Sequence, residues 1–220
     1  MSKYYEGIIF DLDGVITETS EYHYQSWQRM ADEEGLDFNR DINEKLRGVS
    51  RRRSLKIILD GNDISEEEMN RLMDKKNGYY QEYLEDMDEN DMLPGVMDLI
   101  NNALDKGFKL AIASSSKNAK TVISALRIGD LFETISDGFS VDNPKPAPDL
   151  FLLTAEKLEI SPEKCIVFED AKAGIDAAQA ANMLSVGIGP EERVGHADFR
   201  FDNVKEVELE KILKGEKYSE

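Results

Sequence analysis

Two aspartates one residue apart, Asp11 and Asp13, close the apolar run Ile8-Ile9-Phe10 and are followed at once by Gly14. Side chains two apart along a strand point the same way, about 6 to 7 Å from each other, so the two carboxylates repel unless a cation stands beside them. A divalent metal is the simplest such cation. An apolar run that delivers charge at its C-terminal end reads as a buried strand of an open parallel sheet, where ligands bind at the carboxyl ends of strands.

Three further stretches carry polar groups in the same way. Leu110 to Ala113 runs into Ser114-Ser115-Ser116, the loop Asn143-Pro144-Lys145-Pro146 presents a lysine between prolines, and Cys165 to Phe168 runs into Glu169-Asp170. One carboxylate can attack phosphorus while another, two positions along, exchanges a proton with the attacking or leaving oxygen, which splits one hard step into two. Mg2+ held by Asp11, by the Glu169-Asp170 pair and by the backbone carbonyl of Asp13 would let one anion approach another. Lys145 and the Ser114 hydroxyl would balance charge on the transferring group, and Lys145 would favour the ionised nucleophile.

These residues need a frame. Short apolar strands alternate with helices from Leu93-Pro94-Gly95 onward: a helix from about Val96 to Lys106, a strand at Leu110 to Ala113, a helix of about ten residues, then Thr134-Ile135-Ser136. A helix at Pro148 to Leu158, a strand at Cys165 to Phe168, a helix at Ala171 to Ala181 and a strand at Leu184 to Ile188 follow. This alternation is the signature of an α/β fold with a doubly wound parallel sheet. Between Val15 and Leu93 only helical periodicity is present. One helix runs through Tyr22, Trp27, Met30 and Ala31 to a stop at Gly35, and a short one is capped by Asn39 or Asp41. An amphipathic segment covers Arg51 to Leu59, and a long helix opens on the capping box Ser65 to Glu68. Residues 17–92 are therefore expected to form an all-helical cap domain inserted into a core made of 1–16 and 93–220, placed where a mobile lid would be useful.

Composition limits the partners. Forty-five acidic against 27 basic residues leave a net charge of −18 over 220 residues. Such a surface disfavours nonspecific attraction to nucleic acid or anionic membrane, so an anionic substrate must meet a local cluster of Lys and Arg. The absence of an 18-residue apolar run or a signal-like start leads us to expect a cytoplasmic protein, with a monomer as the default state. The lone Cys165 excludes an intrachain disulfide and reads as a small buried residue at a strand start. Asp86, Asp88 and Asn90 mimic a calcium loop, but Asp91 stands where glycine is required. Gly187-Ile188-Gly189 lacks the third glycine of a dinucleotide fingerprint.

In this order and spacing, Asp11-Leu12-Asp13-Gly14-Val15, Ser114-Ser115-Ser116, Lys145-Pro146-Ala147-Pro148-Asp149 and Glu169-Asp170 resemble the haloacid dehalogenase superfamily of phosphotransferases over nearly the whole chain. The resemblance implies a Rossmann-like core with a cap and phosphoryl transfer as the reaction. The second aspartate argues against the dehalogenase and phosphonatase branches. Within the helical block, Thr17-Glu18-Thr19-Ser20-Glu21-Tyr22-His23, Gly48-Val49-Ser50-Arg51 with Ser54-Leu55, and Lys76-Asn77 look like the β-phosphoglucomutase family, as does Ser114-Ser115-Ser116-Lys117-Asn118.

Members of that family interconvert β-glucose 1-phosphate and glucose 6-phosphate through bound β-glucose 1,6-bisphosphate. The resemblance implies Asp11 as phosphorylated nucleophile, Asp13 as general acid and base, and Arg51, Ser116, Lys117 and Asn118 on the phosphate not being transferred. It places Thr19, Gly48, Ser54 and Ser115 on the substrate side, and His23 and Lys76 in the cap-closing and sugar-binding set. Glu18 departs from the aspartate usual there. Two rivals stand beside this reading: a capped magnesium-dependent phosphatase of small sugar phosphates or pyrophosphate, and a catalytically idle binding protein. The intact set Asp11, Asp13, Lys145 and Asp170 speaks against the second.

Overall fold

A computed structural model describes residues 5–215. The chain opens with strand β1 (Gly7–Phe10) and then leaves the sheet for four helices, α1 (Ser20–Glu34), α2 (Arg40–Glu44), α3 (Arg51–Ile58) and α4 (Glu66–Leu84). It returns through α5 (Val96–Asp105), β2 (Lys109–Ala113), α6 (Ala119–Ala125), β3 (Thr134–Ser136), α7 (Asp149–Leu158) and β4 (Cys165–Glu169). The remaining elements are α8 (Lys172–Ala180), β5 (Leu184–Ile188), α9 (Glu191–Val194), β6 (Phe199–Phe201) and α10 (Leu209–Lys214). No helix among the described residues is long and apolar enough to cross a membrane.

Among the described residues six strands pair in parallel, in the order β3-β2-β1-β4-β5-β6. This is the expected doubly wound sheet. The chain winds outward one way from β1 through β2 to β3 and the other way from β4 through β5 to β6. The order therefore reverses between β1 and β4, and the crevice beyond the carboxyl ends at such a switch point is where open parallel sheets bind ligands. Asp11, Asp13, Glu169 and Asp170 all emerge there.

Both faces of the sheet are covered, which explains the unbroken apolar runs. Successive side chains point to opposite faces: Ile8, Phe10, Leu110, Ile112, Ile166 and Phe168 join one apolar cluster, while Ile9, Ala111, Ala113, Cys165 and Val167 join the other. Phe10 stacks on Phe168 at 5.3 Å between ring centroids and meets Phe132 edge-on at 6.1 Å. Cys165 is buried at the start of β4, and burial pushes its thiol up to about 12, as befits an inert core residue.

The helical block carries a third apolar cluster of its own, built on Trp27, Met30, Leu55, Ile58, Met69 and Leu72. The two chain segments that join it to the sheet lie side by side. Thr17 bridges Met92, the Leu93 amide donates to the Ile16 carbonyl at 2.9 Å, and the Thr17 hydroxyl donates to the Asp91 carbonyl at 2.6 Å.

The cap of α4 and the length of α6 differ from the sequence expectation. Ser65 caps α4 by accepting from the Glu68 amide at 3.1 Å, but the Glu68 carboxylate turns to Arg71 at 2.8 and 2.7 Å, so a charged partner takes the acid that a capping box would bend back. The helix after Ser116 runs for seven residues rather than about ten.

Candidate active site

The centre of the site is a buried cation between carboxylates. Lys145 Nζ donates to Asp11 Oδ1 at 2.6 Å, to Glu169 Oε1 at 2.9 Å and to the Ala113 carbonyl at 3.1 Å. The second Glu169 oxygen accepts from the Ala171 amide at 2.8 Å. Burial alone would pull the Lys145 ammonium down, but the charges of Asp11 and Glu169 more than reverse this and keep it protonated. Asp11 is held the other way. Burial pushes its carboxyl well above the ordinary range, Glu169 and Asp13 push in the same direction, and Lys145 only partly opposes them.

Backbone space fixes these groups. Gly14 has φ +85°, and a Cβ there would lie 2.5 Å from the Asp170 carboxyl carbon. A Cβ on Gly174 would lie 1.7 Å from Glu169 Oε1, so only glycine lets α8 approach the end of β4 this closely.

Asp11, Glu169 and Asp170 offer carboxylate oxygens that all lie within 4.8 Å of one another. All three are buried, and the buried Lys145 ammonium is hydrogen-bonded to two of them. Burial, together with the neighbouring Glu169, pushes the Asp170 carboxyl up to about 7, against Arg47 and Arg193, which pull it down. A hard, all-oxygen donor set that is short of positive charge fits a metal cation. Both Glu169 oxygens are already engaged, which leaves Asp11 and Asp170 as the freer ligands. The Asp13 carboxylate stands outside this cluster and accepts from the Thr19 hydroxyl.

Asp170 sets a pH dependence. An unperturbed aspartate titrates near 4, so between about pH 4 and about pH 7 the folded, metal-free chain holds a proton here that the unfolded chain has released. The stability contributed by this group is therefore full below pH of about 4 and is lost as pH rises through about 7. With metal chelated, the urea midpoint should fall between about pH 5 and about pH 7.5, and Asp170→Asn should reduce that slope.

Thr19 precedes α1 as its N-cap, yet makes no side-chain cap bond because its hydroxyl goes to Asp13; the Glu18 carboxylate accepts the Ser20 amide instead at 3.0 Å. Burial raises the Asp13 carboxyl, while the Thr19 bond lowers it.

Next to β2, the Ser114 hydroxyl accepts from the Ser116 amide at 3.0 Å and the Ser116 hydroxyl accepts from the Asn118 amide at 3.1 Å. These two bonds shape the loop leading into α6. The Ser115 hydroxyl donates to the Gly48 carbonyl at 3.2 Å, and Lys117 Nζ lies 4.7 Å from the Phe139 ring centroid.

The helical block turns basic groups toward this surface. Arg51 Nη2 donates to Asn77 Oδ1 at 2.6 Å, and the same oxygen accepts from Asn118 Nδ2 at 2.9 Å, which ties α3, α4 and the start of α6 together. In the run Arg51-Arg52-Arg53, Arg52 pairs with Glu66 at 2.5 Å and Arg53 is exposed. Lys75 pairs with Glu33 and Glu34 on the outside, at 2.8 and 2.5 Å, whereas Lys76 is buried. Lys76 Nζ lies 2.7 Å from His23 Nδ1 and 4.5 Å from the Tyr80 ring centroid, and His23 stacks on Tyr80 at 4.1 Å.

Burial and the nearby Arg51 charge pull Lys76 well down, although Asp13 pulls the other way, and burial with Lys76 and Arg51 does the same to His23. Burial also pulls Arg51 down.

A cavity of about 660 Å³ lies between these two surfaces. Asp11, Asp13, His23, Gly48, Arg51, Ser54, Lys76, Ser115, Ser116, Lys117 and Asp170 line it. Thr19, Ser114, Asn118, Lys145 and Glu169 are not among the lining residues; Thr19 and Lys145 hydrogen-bond to Asp13 and Asp11, and Ser114 and Asn118 to Ser116, which are. The sequence reading missed Arg47, which lines the cavity and pairs with Asp170 at 3.1 Å. Its signal was a basic residue beside Gly48 in a strongly acidic chain.

The fold and this carboxylate–lysine centre define a class. Residues 8–188 match the family model of haloacid dehalogenase-like hydrolases. The chain belongs to that family. It is 38% identical over 209 residues to the β-phosphoglucomutase of Bacillus subtilis, spanning 93% of this chain and 92% of that one. It is also 32% identical over 215 residues to a phosphorylated carbohydrates phosphatase of Thermotoga maritima, spanning 94% and 96%. A crystal structure of β-phosphoglucomutase from Clostridium difficile superposes with a TM-score of 0.92 at 40% identity, covering 96% of this chain and 97% of that one.

Proposed function

We propose that this chain is a magnesium-dependent β-phosphoglucomutase that interconverts β-glucose 1-phosphate and glucose 6-phosphate, and that it works in the cytoplasm as a monomer. The observation that carries this reading is the polarity of the cavity: one wall is buried carboxylate short of positive charge, and the other is buried Lys76 with half-buried His23 and Arg51, short of negative charge. A sugar with phosphates at both ends, together with a cation, satisfies both walls at once.

In this mechanism the Asp11 carboxylate attacks the phosphorus of one phosphate and becomes an aspartyl phosphate as the bond to the sugar oxygen breaks. Asp13 gives its proton to that oxygen and later takes one from the hydroxyl that attacks the phosphoaspartate. The raised Asp13 carboxyl suits a group that must hold a proton for part of the cycle. Lys145 steadies the charge on Asp11, and Ser114 shapes the loop on which Ser116 and Lys117 meet the phosphate that is not transferred. Asp11 and Asp170, backed by Glu169 and by the Asp13 carbonyl, are the groups that would hold Mg2+; when bound, it neutralises negative charge on the transferring phosphoryl group.

Residues 17–92 serve as the cap domain and 1–16 with 93–220 as the core, the paired segments at Thr17 and Met92 being the natural hinge. Arg51, with Ser116 and Lys117, holds the phosphate that is not transferred, and a planar guanidinium can bond two of its oxygens; Asn118 supports Arg51 through the Asn77 oxygen to which both donate. Gly48, Ser54 and Ser115 complete the wall that His23 and Lys76 close over the sugar, and Thr19 holds the Asp13 carboxylate from behind that wall.

A phosphatase of phosphorylated sugars shares the core chemistry, and the Thermotoga relative keeps that reading as the rival. Arg51→Ala separates the two roles. It should cut mutase turnover about a hundredfold, a loss of roughly 3 kcal/mol, while formation of the aspartyl phosphate from a small phosphoryl donor changes little. Equal losses in both assays would remove Arg51 from the distal site.

A further inference from the structure

Arg47 follows α2 in the helical block and reaches across to the core. Its Nη1 donates to Asp170 Oδ2 at 3.1 Å and to the Ser20 hydroxyl at 2.9 Å, and its Nε donates to Glu44 Oε1 at 3.3 Å. Glu44 also faces Arg193 of α9 at 3.6 Å. The Arg47 side chain is 20% exposed and that of Asp170 7%, so this pair is far less screened than an ordinary surface bridge. Nearby contacts run between the same two surfaces: Ser115 to the Gly48 carbonyl, and a Gly48 backbone so near Ala171 that a Cβ would meet it at 2.8 Å.

The same carboxylate belongs to the acidic cluster that fits a metal. A guanidinium and a divalent cation that share one carboxylate repel each other, and the low exposure of the pair strengthens that repulsion.

We infer that Arg47 is a tethered cation that competes with the divalent metal for Asp170, so that metal loading and docking of the helical block oppose one another until substrate arrives. This rests on the reading of Asp11, Glu169 and Asp170 as a metal site. Linkage makes the effect reciprocal: if docking of Arg47 weakens metal binding, metal weakens docking by the same factor. An arriving phosphate adds negative charge at this corner and relieves the repulsion, which allows metal and Arg47 to be held together. Arg47 acts through Asp170 and is a positioning residue.

The test is calorimetric titration of Mg2+, and of Mn2+ as a second probe, into the metal-stripped full chain and its variants. Arg47→Gln should bind metal about tenfold tighter than wild type, whereas Arg47→Lys, which keeps the charge, should stay within about threefold of it. Glu44→Gln frees Arg47 from its other carboxylate and should weaken metal binding about twofold to threefold, an independent check if Arg47→Gln does not fold. Small-angle scattering without substrate should show wild type expanding when metal is added and Arg47→Gln not changing.

Unchanged or weaker metal binding in Arg47→Gln, with binding still lost in Asp170→Asn, would overturn the inference and leave the metal site standing. Absence of metal binding in the wild type would overturn both.

Discussion

Asp11→Asn should lower phosphoryl transfer by at least about 10,000-fold and abolish acid-quenched labelling of the chain by a phosphoryl donor. Asparagine keeps the shape and can still accept the Lys145 hydrogen bond through its carbonyl oxygen, but it offers no anionic oxygen to attack phosphorus. The fold should survive, because burial already disfavours the Asp11 charge and Lys145 retains Glu169 and the Ala113 carbonyl. Circular dichroism and urea unfolding would check that survival. A variant that folds normally and still transfers phosphate at more than a small fraction of the wild-type rate would remove Asp11 from the nucleophile's role.

Removing the cation has the opposite balance. Lys145→Ala leaves Asp11 and Glu169 buried against each other without the ammonium between them. Breaking a buried ion pair by deleting one partner costs about 3 to 5 kcal/mol, which for a chain of this length lowers the melting temperature by roughly 10 °C. Activity should fall with it, since the ionised nucleophile loses its charge partner. The sign with pH follows from Asp11, whose folded carboxyl is raised: the destabilisation should be greatest at neutral pH and shrink in acid, where that carboxyl takes up a proton. Urea unfolding across pH with metal chelated would show it. A loss of stability that did not depend on pH would mean the cost is packing against Phe151, whose ring centroid lies 4.6 Å from the ammonium.

Much of the fold was legible because its signals are local. The end of β1 shows as an apolar run meeting two aspartates, the Gly35 stop and the Asn39 cap lie where α1 ends and α2 begins, and Ser65 starts α4. β6 escaped notice because three residues, Phe199–Phe201, gain strand geometry only through pairing with β5. The Glu68 carboxylate could not be followed to Arg71, nor the Thr19 hydroxyl to Asp13, since each choice depends on which rival partner the tertiary fold brings closer.

At the site, Asp11, Lys145, Glu169 and Asp170 come from three separated stretches, and their order alone suggested a common centre. The inner face of the helical block was harder to read. In Arg51-Arg52-Arg53 and Lys75-Lys76 neighbours are chemically alike, and helix phase decides which one faces the cavity. Arg47 and the Asn77 bridge between Arg51 and Asn118 depend on how the block sits on the core, which spacing does not encode.

The most direct test of the mutase reading follows two products at once. The chain is incubated with β-glucose 1-phosphate, magnesium and a trace of β-glucose 1,6-bisphosphate, and glucose 6-phosphate and inorganic phosphate are measured together. Glucose 6-phosphate should accumulate to equilibrium with inorganic phosphate staying at a small fraction of it. Rapid release of phosphate without glucose 6-phosphate would contradict the mutase reading and make the chain a phosphatase.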